Sequence, residues 1–265
     1  MRRSALFLLP LASALAAAGP AGDVRRASVP DRPLVVIDAG HGGRDAGAHP
    51  PGVPVPEKAI TLLIADALRD QLVSRGRVRV AMTREDDRYL GLEQRVRLAR
   101  DLGANLFVAV HADSAPNPLA RGATIYTLSE VASDAEAARL AARENAGRRA
   151  DRAAPPSSRA DVRAILADLT YRETMNTSAE FAGLLRREAG GAGVPFRDVY
   201  HRFAAFVVLK AADTPAVLLE TGYLTNTDDA AFLLSPEGQA RIANGAARAI
   251  ETHVARQRLA RRAPS

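Results

Sequence analysis

The sequence predicts an α/β fold: one domain with a mostly parallel, twisted sheet flanked by helices on both faces, and a helical insertion. Three observations predict it. Short apolar runs alternate with longer segments of helical periodicity. The runs are apolar throughout, as strands buried on both faces require. The 265 residues, 47% hydrophobic and 25% charged, suit one α/β domain with an insertion.

The elements follow in order. Leu34-Val35-Val36-Ile37-Asp38 reads as a buried strand running into the tight loop Gly40-His41-Gly42-Gly43. Pro56 opens a helix from Glu57 to about Arg75, with Ile60, Leu63, Ile64, Ala67, Leu68 and Leu72 at helical spacing and Gly76 just past its end. Val78 to Met82 is a strand, Leu92 to Leu102 a helix closed by Gly103, and Leu106 to Val110 a strand ending at His111. Ala123 to Leu128 is a fourth strand, Val207-Val208-Leu209 a short fifth, and Ala216 to Leu219 a sixth ending at Glu220. A closing helix runs from about Gly238 to Arg258. Between these, residues 129–193 form the insertion, with helical stretches at about Asp134–Arg149 and Asp161–Glu188 around the loop Ala153 to Ser158. Val162, Ile165, Leu166 and Leu169 make an apolar stripe on the second stretch.

The ends read differently. Arg2 and Arg3 precede the apolar run Ala5 to Leu11 and the small residues Ala14 to Ala18. A basic start, a short apolar stretch and an Ala-x-Ala-like site predict a signal peptide over 1–19, too short to span a bilayer. Residues 20–33 read as a flexible lead-in, 34–258 as the α/β domain with its insertion and 259–265 as a basic tail. The mature protein is then exported, and periplasmic in a cell with two membranes, with no stable membrane anchor.

Composition narrows the chemistry. Cysteine is absent, which excludes disulfides, thiol nucleophiles and thiolate metal sites. Any metal must be held by His, Asp or Glu, and only five histidines exist, at 41, 49, 111, 201 and 253. Tryptophan is absent and aromatics are 5%, which argues against stacking platforms and gives no sign of a nucleic-acid partner. Lys+Arg 36 against Asp+Glu 30 gives +6, and removing Arg2 and Arg3 with the leader leaves +4. That surplus reads as a solvated basic tail or as attraction to an anionic polymer or membrane surface.

His41, His111 and Glu220 all fall at carboxyl ends of predicted strands, where open α/β sheets collect ligands. Glu57, one turn before Ile60 and Ile64, points its carboxylate to the same edge. Two imidazoles and a carboxylate make a zinc ligand set with a fourth position left for water. The second carboxylate, Glu220, is then free to act as general base and acid. Each residue also has an ordinary reading: His41 as a loop residue, Glu57 as a first-turn helix residue, His111 as a strand-end residue, Glu220 as an acceptor of backbone amides. His49 reads as a loop residue, His201, in Tyr-His-Arg-Phe, as a candidate substrate contact, and His253 as a surface residue of the closing helix.

Four blocks occur in order: Val35 to Gly47 (VVIDAGHGGRDAG), Glu57-Lys58, Phe107 to Asp113 (FVAVHAD) and Pro215 to Asn226 (PAVLLETGYLTN). Thr83-Arg84 and Phe206 to Lys210 accompany them. Together they resemble the zinc-dependent N-acetylmuramoyl-L-alanine amidases of the Amidase_3 type, over about residues 34–255. The resemblance implies one Zn2+ per chain held by His41, Glu57 and His111, with Glu220 as the catalytic glutamate. It implies cleavage of the amide between N-acetylmuramic acid and L-alanine of peptidoglycan. The insertion resembles that of the cell-division amidases, where a helix blocks the site until a LytM/EnvC-type activator draws it away. Glu144, in Glu-Asn-Ala, is then the candidate inhibitory metal ligand, although the residues after it turn basic. The resemblance leaves two other readings to compare: a non-catalytic cell-wall-binding protein, and another zinc peptidase acting on the same polymer.

Overall fold

The computed structural model describes residues 32–146, 162–211 and 213–262. The expected signal peptide and most of the lead-in lie outside them. Six strands form one sheet: β1 (Leu34–Ala39), β2 (Arg79–Met82), β3 (Leu106–Asp113), β4 (Ala123–Leu128), β5 (Phe196–Ala204) and β6 (Ala216–Tyr223). Their spatial order is β2-β1-β3-β6-β4-β5. All neighbours are parallel except β4 and β6, which are antiparallel. The helices are α1 (Glu57–Arg75), α2 (Leu92–Asp101), α3 (Ala135–Glu144), α4 (Val162–Gly191), α5 (Thr227–Leu234) and α6 (Pro236–Arg262). Among the described residues no helix is long and apolar enough to cross a membrane.

The sheet has an apolar layer on each face, as a mostly parallel sheet requires. On one face Ile37, Val108 and Val217 meet Ile60, Ile64 and Leu68 of α1, Phe181 and Leu185 of α4, and Ile242 and Ile250 of α6. On the other, Val36, Phe107 and Leu218 meet Ala99 of α2 and Ala137, Leu140 and Ala141 of α3. The α1 stripe repeats every three or four residues, so one helix face is buried along its whole length. Gly76, at φ 64°, ends α1 and donates its N–H to the Leu72 and Val73 carbonyls.

Several boundaries differ from the sequence reading. Residues Val207–Leu209, expected as the fifth strand, form one 3-10 turn, and the strand is Phe196–Ala204. That strand lies at the sheet edge and is half exposed, so it carries Arg197, Asp198, His201 and Arg202 in place of an apolar run. β3 and β6 run on through His111 and Glu220, so both residues sit inside strands and not after them. The first insertion helix ends at Glu144, and the stretch after Ala146 lies outside the described residues. The stripe from Val162 to Leu169 has no described side chains. From Ser178 on, α4 is an integral layer of the domain: the Ser178 hydroxyl accepts the Ala216 N–H of β6, and Phe181, Ala182 and Leu185 are core residues. α6 continues to Arg262, into the expected tail, and α5 is an element the sequence reading did not contain.

Candidate metal centre

The parallel register of the sheet assembles the site. Asp38 pairs with Ala109 across β1 and β3, and His111 pairs with Glu220 across β3 and β6. The carboxyl end of β1 therefore delivers the His41 loop to the same edge as His111 and Glu220. α1 begins there with Glu57.

His41 has φ 62°, the sole positive φ outside glycine among the described residues. Such a conformation costs a non-glycine residue about 1–2 kcal/mol, and the surroundings over-determine it. Arg95 donates to the His41 carbonyl at 2.6 Å, to the Ala39 carbonyl at 2.8 Å and to the Asp38 carboxylate at 2.7 Å. Arg84 donates to the Ala39 and Gly40 carbonyls at 2.9 and 2.8 Å. Both guanidiniums are buried. Gly42 and Asp45 close the loop with paired backbone hydrogen bonds of 2.9 and 3.1 Å.

Two glycines make the close approach feasible. A Cβ on Gly40 would lie 2.5 Å from the His111 ring, and one on Gly47 would lie 2.6 Å from Glu57 Oε2 and 2.7 Å from the His41 ring. Only glycine fits between these groups.

The side chains converge. The His41 and His111 rings are 4.8 Å apart, edge to face. Glu57 Oε1 stands 3.0 Å from His41 Nε2 and 3.2 Å from His111 Nδ1. The Glu57 carboxylate is held by two backbone donors, Ala112 N–H on Oε1 at 3.0 Å and Ala48 N–H on Oε2 at 2.8 Å. Asp45 Oδ2 lies 3.0 Å from His41 Nδ1. Glu144, from the last turn of α3, brings Oε2 to 3.5 Å from His41 Nε2 and 3.4 Å from His111 Nδ1. One ligand atom from each of His41, His111 and Glu144 fits within 4.8 Å.

Glu220 is 1% exposed, and neither of its carboxylate oxygens has a hydrogen-bond partner. Burial first, then the negative neighbours Asp113, Glu57 and Glu144, push its carboxyl well above the usual range. For His41, burial favours the neutral ring, but Glu57, Asp45 and Glu144 outweigh it and raise the pKa well above the ordinary value. For Glu57, burial opposes ionisation, and the two imidazoles overcome it, so its carboxyl lies well below the usual range. Burial also lifts Asp113 to about 6, despite its 2.6 Å ion pair with Arg143.

This donor set suits a zinc ion. Two imidazoles and carboxylates, without thiolate, are a common catalytic complement. The His41 ring nitrogens lack well-aligned hydrogen bonds although they are buried. A cavity of about 450 Å3, lined by His41, Asp45, Tyr89, Ser114, Arg143 and Glu144, leads to the cluster.

The remaining histidines lie elsewhere. His49 is exposed in its loop, with Nε2 3.1 Å from the Val53 carbonyl. His201 sits on β5, 2.9 Å from the Thr127 hydroxyl. His253, expected at the surface, is 4% exposed and packs edge to face on Phe181. The sequence reading did not single out Asp45, Arg95 or Arg143. Asp45 was open to discovery, four residues after His41 in a glycine-rich loop. Arg95 and Arg143 were not, because their partners are 54 and 30 residues away.

The comparisons place the chain by family and fold. Residues 35–252 match the family model Amidase_3, N-acetylmuramoyl-L-alanine amidase. The chain is 32% identical over 223 residues to the N-acetylmuramoyl-L-alanine amidase AmiC of Neisseria meningitidis serogroup B, covering 84% of this chain and 53% of that protein. It is 34% identical over 224 residues to AmiA of Escherichia coli K12, covering 82% of this chain and 74% of that protein. The chain thus spans about half the length of the first relative and three quarters of the second. Its fold matches the catalytic domain of the amidase CwlV from Bacillus (Paenibacillus) polymyxa, with a TM-score of 0.63 at 28% identity over 84% of this chain and 98% of that one. With the matched segment running from β1 into α6, the chain belongs to the Amidase_3 family of N-acetylmuramoyl-L-alanine amidases.

Proposed function

We propose that this chain is a zinc-dependent hydrolase of peptidoglycan. It cleaves the amide between the lactyl group of N-acetylmuramic acid and L-alanine, and α3 keeps the free enzyme weakly active until a partner displaces that helix. The observation that carries the reading is Glu220: a buried carboxylate with two unpartnered oxygens, paired with His111 across the sheet and within electrostatic reach of Glu57. An acid in such a place is costly unless it handles protons or faces a bound group.

His41, Glu57 and His111 would hold the zinc, and Asp45 would fix the His41 ring from behind. Zinc, when bound, supplies Lewis acidity at the scissile carbonyl. Glu220 takes a proton from the attacking water as its oxygen adds to the carbonyl carbon. Its raised affinity for protons keeps that proton available. Glu220 then delivers it to the alanine nitrogen as the C–N bond breaks, leaving a lactyl carboxylate and a free amine.

Glu144 supports the inhibited state. Its carboxylate lies between the two imidazoles, where a ligand would otherwise stand, and Arg143 beside it ties α3 to Asp113 and to the Ser114 carbonyl. A LytM/EnvC-type activator is the proposed partner, peptidoglycan remodelling at cell division the proposed setting, and the periplasm, reached through the signal peptide, the proposed location.

The test is a digestion of purified peptidoglycan, with and without chelator, followed by mass analysis of the soluble products. Free stem peptides with a new alanine amine, lost on chelation and regained with zinc, are expected. Cleavage within the peptide would convert the reading to a zinc peptidase. Absence of any product from a Glu144→Ala, zinc-loaded protein would leave a binding protein without catalysis.

A further inference from the structure

α3 presents a second carboxylate to the domain, and that one sits in a built receptor. Glu136 Oε1 accepts from Arg197 Nη1 at 2.6 Å and from the Tyr223 hydroxyl at 3.0 Å, and Oε2 accepts from Arg202 Nη1 at 2.8 Å. Arg197 Nη1 also reaches the Tyr223 oxygen at 2.5 Å. Arg202 and Tyr223 are buried, and Arg202 Nε has no hydrogen-bond partner, so the guanidinium keeps a donor unused. Partial burial would raise the Glu136 carboxyl, but these three donors outweigh it and bring it down to about 2. The receptor belongs to β5 and β6; only the carboxylate belongs to α3.

The receptor adjoins a cavity next to the one at His41. A cavity of about 840 Å3 is lined by Glu136, Arg197, Arg121, Asp113, Ser114 and Arg143. Ser114 and Arg143 also line the cavity at His41, so one wall separates the two spaces. Glu136 and Glu144 are eight residues apart on one helix, about 12 Å along its axis. An extended peptide covers about that distance in three to four residues.

We propose that Arg197, Arg202 and Tyr223 form the binding site for a carboxylate of the peptide stem, and that Glu136 occupies it in the helix-bound state as a substitute for substrate. α3 then blocks two subsites at once, Glu144 at the metal and Glu136 at the anion receptor. This rests on the amidase reading, because it takes the stem of peptidoglycan as the ligand. Displacing α3 frees two guanidiniums and a phenol beside the cavity that adjoins the His41 site through Ser114 and Arg143. The chemistry recognises a free carboxylate and is indifferent to a neutral amide at that position.

The probe is the stem tetrapeptide L-alanyl-γ-D-glutamyl-meso-diaminopimelyl-D-alanine, as the free acid and with its carboxylates amidated. Binding is titrated calorimetrically on metal-free protein. Glu136→Gln should bind the free acid at least tenfold more tightly than the unsubstituted chain. Adding Arg197→Met should remove that gain, and the amidated peptide should not distinguish the proteins. Equal binding of acid and amide, or no gain in a Glu136→Gln protein with native circular dichroism, overturns the proposal. If Glu136→Gln does not fold, Arg197→Met alone decides. It should abolish the acid-dependent shifts produced by millimolar peptide in NMR spectra, and unchanged shifts overturn the receptor. Zinc-loaded Glu144→Ala protein is assayed in parallel for stem release from peptidoglycan. Release without carboxylate-selective binding sinks the receptor and spares the amidase; selective binding without release does the reverse.

Discussion

His111 and Glu220 stand opposite one another across the parallel pair of β3 and β6, and the Thr221 hydroxyl beside them donates to the His111 carbonyl at 2.7 Å. The acid and the ring are thus fixed by sheet register and not by a loop. That gives the first prediction a sharp form. Glu220→Gln changes no backbone contact, because neither carboxylate oxygen has a partner. It should leave fold and zinc content intact while lowering stem release by about 10²–10⁴-fold, the usual scale for loss of a general acid–base group. Metal analysis and a single-turnover assay on the same protein check it. Near-full activity would remove Glu220 from the chemistry.

Removing an imidazole should act on the metal first. His41→Ala or His111→Ala takes one of two nitrogen donors from the cluster and leaves the Glu57 carboxylate buried beside one ring. Both proteins should lose zinc on dialysis against a mild chelator that the parent resists. Full occupancy by metal analysis in either variant would refute the ligand assignment.

Glu144 predicts the opposite sign. Its carboxylate competes for the position between the histidines, so Glu144→Ala should raise the basal rate of the free enzyme. A contact worth about 1.4 kcal/mol to the closed state corresponds to about tenfold. The check is peptidoglycan turnover without any activator. A rate equal to the parent's, with zinc bound, would make α3 a packing element only.

Different parts of this molecule were legible to different degrees, for physical reasons. β1, β3 and β6 are buried on both faces, so their sequences had to be apolar runs, and those runs carried His41, His111 and Glu220 with them. β5 escaped because an edge strand needs no such run, and Arg197, His201 and Arg202 hide its alternation. α5 is only eight residues long, yet its start was marked. Asn226 caps it, accepting the Asp228 and Asp229 N–H groups at 3.1 and 3.2 Å. The Glu136 receptor joins residues 61 to 87 positions apart, and nothing local announces such a pairing.

His253, expected at the surface of the closing helix, is buried, and its spacing along α6 accounts for it. Ala246, Ala249 and Ile250 are buried on α6, and the next positions on that face are His253 and Val254. Burial, aided by Arg256, depresses the His253 pKa to about 4 from an ordinary value of 6.5. The sign follows from proton uptake. Above pH 6.5 the ring is neutral in both folded and unfolded chains, and His253 adds no pH dependence. Between about 6.5 and 4 the unfolded chain binds a proton that the folded one refuses, so stability falls with pH. The full difference is at most about 3 kcal/mol. Replacing His253 with Phe, which keeps an aromatic group against Phe181, should flatten the loss of stability over that window and change little at pH 8. Chemical denaturation of both proteins at pH 8, 6 and 4.5 measures it. Parallel acid limbs in the two would show that the ring is charged in the folded state, or reaches water there.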